Sequence, residues 1–120
     1  MLKFTQINLH KAQQATLLLG QEMEGQSQVI SLVTEPHTTA GKITGLPRGT
    51  TVVSDKSCNP HQNSQGPRAG IVADRGLQIH SMDSWCTRDC AVATAKIHGR
   101  QILLASIYLD INKPLSLIHI

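Results

Sequence analysis

The chain has 120 residues, a formal net charge of +3 and six further histidines, with 40% hydrophobic residues but a single Phe, Tyr and Trp. That is one domain or part of one, with a core of Ile, Leu, Val and Ala, and the composition excludes a disordered chain and any apolar run long enough to cross a bilayer. Three cysteines (Cys58, Cys86, Cys90) form an odd set without framework spacing; together with an N-terminus that carries no apolar signal core, they point to a reduced, intracellular chain without membrane contact.

Residues 2–9 read as a first strand that ends on polar Asn8. Residues 10–25 read as a helix, with Ala12, Ala15, Leu19 and Met23 on one stripe and Leu18 beside them. Gly20 weakens that helix by about 1 kcal/mol relative to alanine, and Gly25 suits its C-terminal stop. The run Val29-Ile30-Ser31-Leu32-Val33-Thr34-Glu35 reads as a buried strand closed by a carboxylate, with Pro36 stopping the ladder behind it. Strand, helix and strand make a βαβ-like unit, although adjacency of the two strands is not legible. Residues 37–50 form a loop with Gly41, Gly45, Pro47 and Gly49. A short strand follows at 51–54, a polar loop at 55–67, a buried strand at 68–74 and another short strand at 77–80. Residues 89–98 and 101–109 are strands joined across His98-Gly99-Arg100 as a hairpin. The fold class is therefore α/β (α+β), with a mixed, largely antiparallel sheet rather than a doubly wound one.

Open α/β sheets put ligands beyond the carboxyl ends of their strands, and three polar residues arrive there: Asn8, Glu35 and Tyr108. Glu35 suits Mg²⁺, which prefers oxygen donors and retains several waters; its plain alternative is a salt-bridging rim carboxylate. Asn8 can donate its amide to a phosphate oxygen or cap the following helix. Tyr108 can hydrogen-bond a phosphate or simply present its tip to water. Asp110 shares its face if the strand continues. His37 follows Glu35-Pro36 and suits either substrate contact or packing. Arg68 and Arg48 suit a phosphate backbone or solvent. Cys58-x-x-His61 and Cys86-x-x-x-Cys90 offer four zinc ligands. On an extended strand the last two cysteines would lie about 13 Å apart, so they can chelate together only across a turn at Thr87-Arg88-Asp89; otherwise the thiols are free. No glycine cluster has phosphate-cradle spacing.

Taken together, Gln6-Ile7-Asn8-Leu9, Leu32-Val33-Thr34-Glu35-Pro36, Ile43-Thr44-Gly45-Leu46, Pro67-Arg68-Ala69-Gly70-Ile71-Val72 and Ala105-Ser106-Ile107-Tyr108-Leu109-Asp110 resemble, in order and spacing, the endonuclease/exonuclease/phosphatase domain in the form carried by non-LTR retrotransposons. The resemblance covers residues 3–114. It implies part of a four-layered α/β sandwich and a Mg²⁺- (or Mn²⁺-) dependent phosphodiesterase. This enzyme would nick target DNA in the nucleus, as part of a polyprotein with a reverse transcriptase that copies the element's RNA. By the same resemblance Asn8 lies near metal and scissile phosphate, Glu35 binds the metal and Tyr108 approaches the phosphate. His10 stands where some relatives carry an aspartate, which thins the metal set. The family motifs bearing the water-activating aspartate and the phosphate-contacting histidine lie beyond this sequence. We therefore expect residues 1–114 to be an N-terminal portion of such a domain, inactive alone and with an uncovered apolar sheet face. Residues 115–120, Leu-Ser-Leu-Ile-His-Ile, resemble the translation of a library adapter and read as a non-native tail. The alternative is a small non-catalytic α/β binding module, zinc-stabilised through Cys58, His61, Cys86 and Cys90.

Overall fold

Residues 29–34 of the computed structural model form the strand around which everything else is arranged; the structure describes residues 2–24, 28–56, 66–74 and 76–109. Strand β2 (Val29–Thr34) lies between β1 (Lys3–Asn8), parallel to it, and β6 (Ala69–Ala73), antiparallel; β5 (Thr51–Val53) completes the order β1-β2-β6-β5. The two strands of the βαβ-like unit are thus neighbours, which the sequence left open. Helix α1 (Gln13–Glu24) crosses one face of this sheet. The other face meets a three-stranded antiparallel sheet, β7 (Gln78–Ser81), β8 (Cys90–Ile97) and β9 (Arg100–Ile107), the last two joined by the expected hairpin. The described residues therefore form three layers: helix, mixed sheet, antiparallel sheet.

Strand periodicity explains the layering. Val29 and Val33 point to the helix, where Leu9, Leu19, Met23 and Val72 close around them. Ile30 points the other way, into a core with Val53, Ile71, Ala73, Ala91, Ala93, Ala95 and Leu104. Three alanines on β8 leave room for the larger aliphatics of β2 and β6. A buried polar contact spans the layers: Ser106 Oγ donates to Val33 O at 2.8 Å. On the helix side Ser31 is also buried and meets Thr5 Oγ1 at 2.6 Å, so its hydroxyl is satisfied.

The helix departs from expectation at its start. His10 and Lys11 have φ of 52° and 58°, so the chain makes a left-handed turn and α1 begins only at Gln13. Its buried face is Thr16, Leu19, Gly20 and Met23, while Leu18 is exposed. Residues 37–50 carry a small hairpin, β3 (Thr38–Thr39) with β4 (Lys42–Ile43), that the sequence did not suggest. The hairpin packs down because Gly70 has no side chain: a Cβ there would come within 2.6 Å of Ile43 Cδ1. A 3-10 turn at Asp83–Trp85 links β7 to β8. Among the described residues no helix is long and apolar enough to cross a membrane. Apolar residues are exposed on β1 (Phe4, Ile7) and on the outer face of β9 (Leu103, Ile107). Asp110, Cys58, His61, Gly25 and residues 115–120 lie outside the described residues.

Candidate active-site rim

Strand register brings the polar residues together. Asn8 is in register with Thr34, so β1 and β2 end side by side. Thr34 is opposite Ala69, so β6 begins where β2 ends, and the Glu35 N–H donates to Arg68 O at 2.9 Å. In the second sheet Cys90 is opposite Ile107, and the Tyr108 N–H donates to Asp89 O at 2.8 Å. The two sheets are tied at this end by Arg68 N–H to Arg88 O at 2.7 Å. Asn8, Glu35, Arg68 and Tyr108 thus sit along a single rim, as strand-end placement predicts.

The β1–α1 turn shapes the first part of that rim. The Asn8 side-chain carbonyl accepts the His10 N–H at 2.8 Å. Asn8 therefore caps the left-handed turn rather than the helix, which was the plain alternative for it. Leu9 N–H donates to Thr34 O at 2.9 Å and Lys11 N–H to Glu35 O at 2.6 Å, stapling the turn to the end of β2. Glu35 is itself left-handed, with φ of 48°. Three non-glycine residues at positive φ cost of order 1 kcal/mol each and persist because neighbouring bonds hold them. The turn delivers the imidazole of His10 to the carboxylate: Nδ1 lies 3.8 Å from Glu35 Oε2.

The second part of the rim is an ion pair that sequence reading missed. Arg68 donates to Asp89 through two nitrogens, Nε to Oδ1 at 2.5 Å and Nη2 to Oδ2 at 2.6 Å. The pair is largely shielded from solvent, and such bidentate contacts are the strong class of charge-assisted bond. The same guanidinium lies over the Tyr108 ring, 4.7 Å from its centroid, a cation–π distance. Arg68, a candidate phosphate contact, thus has its fork held by a carboxylate and an aromatic face. Asp89 gave no local signal, because its partner is 21 residues away in sequence.

Between these parts opens a cleft of about 350 Å³, lined by Lys11, Glu35, His37, Arg68 and Arg88 among others. Three cationic side chains surround one carboxylate, which suits an anionic ligand with an ion at Glu35. Lys11 and Arg88 join the expected His37 and Arg68 here; Arg48 is exposed elsewhere on the loop. For zinc, the described residues offer little. No three His, Cys, Asp or Glu side chains converge among them. Thr87 and Cys90 bridge across the turn that the cysteines would need. Cys86 Sγ, however, accepts the Val92 N–H at 3.4 Å, and burial, then Cys86, pushes the Cys90 thiol up.

No family model matches the chain, and no curated protein does. Among solved structures it is similar to the endonuclease domain of TRAS1, a telomere-specific non-LTR retrotransposon, with a TM-score of 0.67 and 22% identity over 92% of this chain. Over that span the chain shares the fold of the TRAS1 endonuclease domain. At that identity the likeness is one of architecture, and this chain spans 46% of the TRAS1 domain's length. In this fold Asn8 stands at the end of β1, Glu35 follows β2 and Tyr108 follows β9.

Proposed function

We propose that this rim is the metal- and phosphate-binding end of a DNA-nicking endonuclease domain that hydrolyses phosphodiesters. The observation that carries the reading is the meeting of Glu35 with a cation-lined cleft at the adjacent ends of parallel β1 and β2. Glu35 would hold a divalent ion, Mg²⁺ or Mn²⁺, which neutralises charge developing on the phosphate when bound. The Asn8 amide nitrogen and the Tyr108 hydroxyl would donate to phosphate oxygens; Lys11, His37 and Arg88 would follow the strand backbone. Arg68 acts through Tyr108 and Asp89, and Asp110, two residues beyond Tyr108 in the sequence, is a further candidate. On this reading the chain corresponds to the N-terminal part of an endonuclease domain in a retrotransposon polyprotein. It acts on chromosomal DNA beside a reverse transcriptase and the element's RNA. On this reading it is inactive alone, because none of the rim residues assigned above is the base that activates water, and residues 115–120 are foreign to it.

DNA binding tests the reading without turnover. Fluorescence anisotropy with a duplex oligonucleotide is expected to show binding that weakens steeply with salt. Lys11→Ala and Arg88→Ala should each reduce the magnitude of the salt slope by about 1. Absence of binding at low salt, or slopes untouched by both variants, would overturn the assignment. Supercoiled plasmid with Mg²⁺ is expected to remain intact. Nicking abolished by Glu35→Ala would overturn inactivity alone and strengthen the nuclease reading.

A further inference from the structure

Trp85 is the chain's one tryptophan and is 63% exposed, although this side chain is highly buried on average. The backbone beneath it is braced. Trp85 closes the 3-10 turn, its N–H donating to Met82 O at 2.9 Å and the Cys86 N–H to Asp83 O at 3.1 Å. Both flanks of the turn are bonded to β8, through Met82 N–H to Val92 O at 2.9 Å and Val92 N–H to Cys86 Sγ at 3.4 Å. The Asp83 carboxylate accepts from Ser81 and lies 3.3 Å from Lys56 Nζ. A large apolar ring is thus carried into solvent on a fixed turn, with little conformational entropy left to lose when it is covered.

The turn also lies at the rim. It leads from the end of β7 to the start of β8, and Arg88, three residues beyond Trp85, lines the cleft. There Lys11, Arg68 and Arg88 outnumber the single carboxylate of Glu35, a balance that suits a polyanion. Because β7 and β9 flank β8, the strand ends leading to Trp85 and Tyr108 stand about 10 Å apart, roughly three nucleotides at about 3.4 Å each. A cationic cleft with an exposed aromatic ring beside it matches a ligand that offers both phosphates and flat π-faces. We propose, resting on the DNA-binding reading of the cleft, that Trp85 is a stacking platform for an unpaired base, so that the rim prefers DNA whose single-stranded segment adjoins the cleft. In a paired duplex each base face is covered by its neighbours, and an indole can stack only on a base that is terminal, single-stranded or extruded. Every base has a π-face, so the preference is for structure and not for sequence.

The chain's intrinsic tryptophan fluorescence reports on Trp85 alone, while the anisotropy of labelled DNA measures binding independently. A duplex with a single-stranded overhang is expected to quench the emission and to bind about tenfold more tightly than a blunt duplex of equal length. Trp85→Ala should remove that preference, weakening the overhang about tenfold and the blunt duplex little. Trp85→Phe keeps a stacking ring and should retain most of the preference. The side chain is exposed, so both variants are expected to keep the wild-type far-ultraviolet circular dichroism. Equal binding of the two duplexes, or unquenched emission in a saturated complex, would overturn the role of Trp85 and leave the cleft reading in place. Absence of binding to either DNA at low salt would overturn both. Emission that shifts with protein concentration in the absence of DNA would place the indole in a protein contact and overturn the stacking role.

Discussion

Strands β1 and β6 flank β2, one on either side, with six and five residues of similar extended backbone. In β6, Ala-Gly-Ile-Val-Ala, every position is buried, covered by the helix layer on one face and the second sheet on the other. In β1, Lys-Phe-Thr-Gln-Ile-Asn, five of six positions are exposed, and the ladder to β2, the Thr5–Ser31 contact and an exposed Lys3–Glu22 ion pair anchor it. Yet β1 ends in Asn8 and leads directly into His10. The less buried of these two strands thus ends in one of the rim's polar residues and leads into another, and what positions them is register and turn geometry rather than burial.

The largest way to break this contrast lies in β6. Ile71 is fully buried at the centre of the core, so Ile71→Ala should cost about 3 kcal/mol by denaturant unfolding. A cost under about 1 kcal/mol would mean that the two sheets do not pack as described. An intermediate effect tests the tie between layers. Asp89→Asn removes a charge-assisted partner from a shielded guanidinium, and should cost about 2 kcal/mol. Because the chain has one tyrosine, near-ultraviolet circular dichroism should report Tyr108 loosening at the same time. An unchanged tyrosine band would show that Arg68 does not hold the ring. The smallest effect belongs to β1. Phe4 is 50% exposed, so Phe4→Ser should change stability by no more than about 0.5 kcal/mol. A loss above about 1.5 kcal/mol would place this strand in a buried setting and erase the comparison.

The same contrast explains what could be read in advance. Strands with unbroken apolar runs, 29–34 and 69–73, were legible because burial on two faces demands such runs. The 90–107 hairpin was legible from its Gly99 turn. Asn8, Glu35 and Tyr108 were legible as strand ends, and the fold brings them to one rim. The left-handed turn at His10 and Lys11 was not, since neither residue is glycine and nothing in their identity signals positive φ; the helix was accordingly started three residues early. Asp89 was invisible because an ion pair across two sheets leaves no local pattern. The β3–β4 hairpin has two-residue strands, too short for periodicity to register.

The hydroxyl of Ser106 has a mechanical consequence. It is bonded to the backbone of Val33, two residues before Glu35 on one sheet, and it lies two residues before Tyr108 on the other. Shear between the sheets, the displacement that would alter the clearance from the glutamate to the tyrosine, must first rupture this bond. Both residues are buried, so rupture strands both partners at a cost of about 1 to 3 kcal/mol. Together with the Arg68 ties to Arg88 and Asp89, this dowel of two atoms limits how wide the jaw of the rim stands open.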